Sequence, residues 1–210
     1  MKILELFAGT RSIGKVFEKE GYDVYSVEID HKFANINLYT DIMDLNVSDV
    51  LKNFGQPNVI WASPPCTSYS IAGISHHRKK NPMSGELEAC SDYALYSDNL
   101  LKHTLDLILK LYPKYWFIEN PRGGLRKMAY MARLPRYTIS YCQYGDVRMK
   151  PTDIWTNHPN PLFKPMCHNG DKCHESAPRG SKTGTQGLVD SRERSIIPKE
   201  LCQHIVDICR

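Results

Sequence analysis

The constraint that narrows the fold most is an alternation. Short apolar runs recur along the chain, and most are followed by a stretch with helical spacing. Lys2-Ile-Leu-Glu-Leu-Phe7, Asp23–Ile29, Ile36–Tyr39, Asn58–Ala62 and Tyr115–Glu119 read as strands, and Tyr137–Gln143 and Asp153–Thr156 read as two more. Between them, Ser12–Glu20 ends at Gly21, a natural helix stop, and Val47–Asn53 is a second helix. Ser91–Leu111 is a long one, with apolar residues at Leu95, Leu100, Leu101, Leu105, Ile108 and Leu109. Pro198–Cys209 closes the chain as a helix with proline in its first turn. Strands alternating with helices predict an α/β fold with a mostly parallel sheet covered on both faces.

Two regions fall outside this pattern. Residues 63–89 show no clear period and carry the basic run His76-His77-Arg78-Lys79-Lys80. From Pro159 to Arg194 the composition shifts to Pro, Gly, Lys, His and Cys. The expected organisation is a core over residues 1–157, a loop-rich insert over 158–194, and a C-terminal helix over 195–210 that returns to the core.

At 210 residues, 41% hydrophobic and 24% charged, the chain has enough material for one globular core. Its longest apolar runs are too short to span a bilayer, so no membrane partner is expected. The N-terminus reads as a strand and lacks a signal-peptide layout. Seven scattered cysteines suit a reducing compartment better than a disulfide framework, and a cytoplasmic location is the expectation. The net charge of +4 permits a nucleic-acid partner without requiring one.

Three constellations carry chemistry. Phe7-Ala8-Gly9-Thr10-Arg-Ser-Ile-Gly14 follows the first strand. Its glycines let the backbone approach a ligand and its helix start offers free N–H groups, although an ordinary strand–helix turn has the same spacing. Glu28 closes the second strand, where a carboxylate accepts from ribose hydroxyls, and Asp41 follows the third, in reach of an adenine amino group. Either residue taken alone reads as a surface carboxylate. The second constellation is Ser63-Pro64-Pro65-Cys66-Thr-Ser-Tyr-Ser70, in which two prolines fix the backbone and hold Cys66 at the sheet's carboxyl edge. A lone cysteine is more often a small buried hydrophobe. The third is Glu119-Asn120, at the end of an apolar strand.

These motifs resemble those of the cytosine-5 DNA methyltransferases, over most of the chain. Leu6-Phe-Ala-Gly9 is similar to the family's cofactor motif, Ser63-Pro-Pro-Cys66 with Ser70 to its nucleophile motif, and Glu119-Asn120 to its Glu-Asn motif. The Tyr144-Gly145 turn and Ile197-Pro198-x-x-Leu201 resemble later family motifs. The resemblance implies a Rossmann-like class I methyltransferase fold and S-adenosylmethionine as cofactor. It implies a cofactor site formed by Phe7, Ala8, Gly9, Thr10, Glu28, Ile29, Asp41, Ile42, Pro64 and Ser195. The catalytic set it implies is Cys66, Glu119, Asn120, Arg148 and Lys150. Cys66 would add to carbon 6 of a cytosine extruded from the duplex while Glu119 steadies the ring. Ser70, Arg78, Lys79 and Lys80 would contact DNA, and a solvated basic loop is an equal reading of that run.

The chain departs from the family in three places. Pro121 follows Glu-Asn in place of valine, and Arg122-Gly-Gly-Leu-Arg126 resembles a phage- or mobile-element-type branch. Arg148 and Lys150 stand where the family has two arginines. Residues 157–195 replace a much larger target-recognition domain, so a short or relaxed sequence preference, or help from a partner, is expected. Within that insert Cys167, His168, Cys173 and His174 offer four zinc ligands, but their spacing departs from common finger patterns and favours a polar loop. Two alternatives stay open: an RNA (tRNA) cytosine-5 methyltransferase, and a non-catalytic binding protein that keeps the cofactor fold.

Overall fold

In the computed structural model, residues 1–175, 188 and 190–210 are described. Strand β1 (Lys2–Leu6) enters helix α1 (Ser12–Lys19), followed by β2 (Asp23–Glu28), β3 (Leu38–Tyr39), α2 (Val47–Asn53) and β4 (Val59–Ala62). Then come α3 (Ile74–His77), β5 (Arg78–Lys80), β6 (Leu87–Ala89), α4 (Asp92–Leu111) and β7 (Tyr115–Pro121). The order closes with α5 (Ala129–Ala132), β8 (Arg136–Ser140), β9 (Pro151–Thr156), α6 (Ser191–Ser195) and α7 (Lys199–Cys209). Among the described residues no helix is long and apolar enough to cross a membrane.

Seven strands form one sheet in the order β3-β2-β1-β4-β7-β9-β8. The pairs from β3 through β7 are parallel, whereas β9 runs antiparallel to both β7 and β8. The chain leaves β1 toward β2 and β3 on one side and returns to β4 on the other. The switch in winding direction therefore lies between β1 and β4, where an open α/β sheet leaves a crevice at its carboxyl edge.

Period-two alternation divides the core between the two faces. Leu4, Leu6, Ile60, Ala62 and Ile118 pack with Leu100, Leu101, Leu107 and Ile108 of α4. Ile3, Val59, Trp61, Phe117 and Ile154 pack with Ile13 and Phe17 of α1 and Leu201, Ile205 and Val206 of α7. Helix α4 begins where Ser91 accepts a hydrogen bond from the Ala94 N–H, and its buried stripe omits two apolar residues that the sequence put on its inner face: Leu95 and Leu109 are exposed.

Local structure differs from the sequence reading in three segments. The aperiodic stretch after β4 contains a helical turn, α3, and an antiparallel hairpin, β5–β6, whose turn is built on Asn81 accepting from the N–H groups of Met83 and Ser84. The third strand is shorter than expected because Asn37 bonds Ser26 through both its backbone N–H and its side-chain oxygen. The run after Ser140 is a tight 3-10 turn, Tyr141–Tyr144, closed by Gly145 at φ 81°. A β-carbon at Gly145 would lie 2.8 Å from the Glu200 carboxylate.

Candidate active site

The cleft lies at the switch in winding direction. It encloses about 280 Å3 and is lined by Phe7–Thr10 after β1, Ser63–Thr67 after β4, Glu119 and Pro121 of β7, Lys150 before β9, and Ser191, Arg194, Ser195 and Ile197 from the C-terminal segment. Cys66, Glu119 and Lys150, remote in sequence, therefore share one cavity, as do Phe7, Ala8, Gly9, Thr10, Pro64 and Ser195.

The first wall depends on a buried carboxylate. Glu5 points toward α1 and accepts from the Gly14 N–H at 2.9 Å and the Ser26 hydroxyl at 2.8 Å, placing its oxygens at the positive end of the helix. A β-carbon at position 14 would approach Glu5 Oε2 to 2.4 Å, so glycine there is a packing requirement. Gly9 takes φ 48°, and its N–H donates to Glu28 Oε2 at 2.8 Å.

The second wall carries the nucleophile candidate. Asn120 Nδ2 donates to the Pro64 carbonyl at 2.9 Å, tying the Pro-Pro-Cys turn to β7, while its Oδ1 is buried and without a partner among the described residues. After Cys66 the chain makes a tight turn, with Tyr69 and Ser70 donating their N–H groups to the Cys66 carbonyl. That turn docks on the segment after β7: the Gly124 N–H donates to the Tyr69 carbonyl at 2.6 Å, and a β-carbon at Gly123 would lie 2.4 Å from the same oxygen. The Pro-Arg-Gly-Gly run that departs from the family pattern thus provides the close approach holding the nucleophile turn. Ser70 does not line the cleft; its hydroxyl accepts from the Gly73 N–H and donates to the Thr67 carbonyl.

Charge in the cleft is finely balanced. Burial, and then the Glu119 carboxylate, push the Cys66 thiol above its ordinary range, while Lys150 and Arg194 pull the other way. Burial lowers Lys150, with Glu119 opposing the shift. The Lys150 ammonium donates to the Arg194 carbonyl at 2.9 Å and sits 4.4 Å from the centre of the Tyr141 ring. Tyr141, which the sequence reading did not single out, donates its hydroxyl to Glu119 Oε1 at 3.0 Å. Burial, and then that carboxylate, raise the phenol far above its ordinary range, so it stays a protonated donor.

Several expected site residues lie elsewhere. Arg148 is buried outside the cleft, in a bidentate pair with Asp146 and near the Glu193 carbonyl. Arg78 is a correction to the DNA-contact expectation. Its guanidinium is fully buried, pairs with Asp98 at 2.7 Å, donates to the Ser68 carbonyl at 2.9 Å and stacks 4.3 Å from the centre of the Tyr69 ring. It braces the nucleophile turn from behind; Lys79 and Lys80 are exposed on β5. His168 is a second correction: it is exposed and faces Asp171, while Cys167, Cys173 and His174 gather with Cys142 instead.

Of the residues expected to hold the cofactor, Glu28, Ile29, Asp41 and Ile42 do not line the cleft. Glu28 sits at the end of β2 against the glycine turn, and Ile29 beside it is exposed, offering an apolar surface to a base. Three backbone N–H groups, from Gly9, Ile29 and Asp30, already use most of the Glu28 acceptor positions. Asp41 accepts from the Met43 N–H and the Tyr96 hydroxyl, so Tyr96 occupies the oxygen that the sequence reading offered to adenine. Ile42 is buried in the core beneath.

A mostly parallel α/β sheet thus brings a cysteine, a glutamate and a glycine turn to one cleft at its switch crevice. The sequence profile of the C-5 cytosine-specific DNA methylase family matches residues 1–131, and the chain belongs to that family. A relative from Frog virus 3 (isolate Goorha), described as a probable DNA (cytosine-5)-methyltransferase, is 28% identical over 227 aligned positions that cover all of both chains. Among solved structures, a mutant of DNMT2 from Spodoptera frugiperda aligns at 17% identity and TM-score 0.47, over 80% of this chain. This chain spans about half, 53%, of that structure. A SAM dependent methyltransferase from Archaeoglobus fulgidus aligns at 16% identity and TM-score 0.29, over 57% of this chain and 44% of its own.

Proposed function

We propose that this chain transfers a methyl group from S-adenosylmethionine to carbon 5 of cytosine in DNA through a covalent adduct at Cys66. The observation that carries the reading is the single cleft lined by Phe7–Thr10, Cys66 and Glu119. When bound, the cofactor supplies an electrophilic methyl group. Carbon 5 of cytosine is too weak a nucleophile to take it unaided. Addition of the Cys66 thiolate to carbon 6 makes the ring enamine-like. Glu119, oriented by the Tyr141 hydroxyl, sits to hydrogen-bond ring nitrogen 3 and the exocyclic amine as that charge develops. Carbon 5 then takes the methyl group as the donor's sulfonium carbon–sulfur bond breaks; a base removes the carbon-5 proton, and elimination of the Cys66 thiolate restores the ring.

Lys150 and Arg194 favour the thiolate, against the desolvation of burial and the charge of Glu119. Asn120 acts through the backbone, holding Pro64 so that the sulfur stays aimed into the cleft. Attack perpendicular to the ring requires the base to leave its stack, so the substrate is a flipped nucleotide. A reduced thiol is essential to the chemistry, which is consistent with the reducing, cytoplasmic compartment proposed for the enzyme.

The test is incubation with labelled cofactor and DNA in which 5-fluorocytosine replaces cytosine. Fluorine cannot leave as a proton does, so a covalent complex mapped to Cys66 is expected, absent in Cys66→Ala. Turnover by Cys66→Ala, or trapping on tRNA with none on DNA, overturns the reading.

A further inference from the structure

The geometry points to a second, structural site: we propose that Cys142, Cys167, Cys173 and His174 bind one zinc ion that ties residues 157–175 to the catalytic sheet. Cys142 lies in the 3-10 turn after β8, whereas the other three come from the segment after β9. Their ligand atoms all lie within 4.8 Å of one another. The Cys142 and Cys167 sulfurs are 3.1 Å apart, and those of Cys142 and Cys173 are 3.6 Å apart. His174 Nδ1 is 3.7 Å from the Cys167 sulfur and 3.6 Å from that of Cys173. A tetrahedral zinc ion with ordinary bond lengths sets sulfur–sulfur edges of about 3.8 Å and sulfur–nitrogen edges of about 3.5 Å. A disulfide would use two of these sulfurs and leave the third thiol and the imidazole gathered for no purpose.

The surroundings fit a thiolate cluster. Gln143 Nε2 lies 3.4 Å from the Cys173 sulfur and donates to it, and the Cys167 N–H donates to the Ser140 hydroxyl. Cys142 and Cys167 are buried. Ligation through Nδ1 leaves the proton on His174 Nε2, which is buried without a partner among the described residues. That cost is small beside the affinity of a four-ligand zinc site. Three cysteines and one histidine close the coordination sphere, so the ion has a structural role.

Physical necessity supports the assignment. Residues 157–175 contain no helix or strand, and only Pro161 and Cys167 are buried, with His158, Phe163, Met166 and His174 half-buried, a small apolar contribution for ordering such a segment by hydrophobic contact alone. Zinc would cross-link it to the turn that begins with Tyr141, the residue holding Glu119. The site stands whether or not the chain methylates DNA.

The experiment is metal analysis of full-length protein made without a polyhistidine tag. One zinc per chain is expected. Cys142, Cys167 and Cys173 should resist alkylation until a strong chelator is added. Cobalt exchanged into the site should give the thiolate charge-transfer and tetrahedral ligand-field bands of a sulfur-rich centre. Cys142→Ser should lower zinc content at least fivefold, whereas His168→Ala should leave it unchanged. Purified protein without zinc or cobalt affinity, a Cys142–Cys167 disulfide in fresh material, or zinc lost in His168→Ala and kept in Cys142→Ser would each overturn the assignment.

Discussion

At the scale of single residues, the cleft sets two demands against each other. The Glu119 carboxylate that would steady the pyrimidine also raises the thiol that must ionise. Removing its charge should separate the two roles. In Glu119→Gln the Cys66 thiol falls toward its ordinary range, so more of it is thiolate at pH 8. Alkylation of Cys66 by iodoacetamide, followed by peptide mass spectrometry, should be several-fold faster than in the wild type. The same variant should lose about 10²–10⁴-fold in methyl transfer, the range that a positioned acid contributes. In both proteins the alkylation rate should climb with pH through the thiol range, the wild-type curve lying at higher pH. A Glu119→Gln curve at or above the wild-type position would show that the carboxylate does not act on the sulfur.

At the scale of elements, the β5–β6 hairpin is a brace. The buried guanidinium of Arg78 joins β5 to the nucleophile turn through Ser68 and to α4 through Asp98, which also accepts from Tyr69 and Tyr130. These bonds hold the Asp98 carboxyl below its ordinary range despite burial. Its folded value is lower than its unfolded one, so the stability it contributes is present above the unfolded carboxylate range and fades as pH drops through the folded value. Arg78→Met strands that carboxylate and should cost about 3–5 kcal/mol. In a chain of this size that lowers Tm by roughly 6–20 °C. The loss should shrink in acid, where Asp98 is protonated in both folded and unfolded forms. A variant with unchanged Tm and weakened DNA binding would return Arg78 to the phosphate-contact role.

At the scale of the whole molecule, the sheet's switch point gathers the cleft, and the exposed part of the hairpin carries the two lysines of the basic run. Lys79 and Lys80 face solvent on β5. If they track the DNA backbone, Lys79→Gln with Lys80→Gln should weaken binding to all duplexes alike. The slope of log K against log salt should then shrink by about 0.9 for each phosphate that the variant no longer neutralises. An unchanged slope would make them a solvated edge.

Much of this was legible in the sequence. Apolar periodicity marked each strand of the main sheet, and the extent of α2 coincided with its helical pattern. The order of the glycine turn, Pro-Pro-Cys and Glu-Asn was enough to mark candidates, because the first two lie just beyond strands and the third in the last residues of one, and parallel strands bring their ends to one edge. What sequence could not decide was which polar side chains turn inward. Arg78 stands in a run of basic residues that reads as surface, yet it is buried because Asp98, twenty positions away, meets it there. Tyr141 has no local signal as a partner of Glu119, since the contact forms only when β8 and β9 pair antiparallel beside β7. Cys142 joins the cysteine cluster for the same reason, while His168, adjacent to Cys167 in sequence, points away. Periodicity is a property of neighbours along the chain, and it sets the elements and their edges. Partnership among buried charges, hydroxyls and thiols depends on which strands lie side by side, and only the folded sheet determines that.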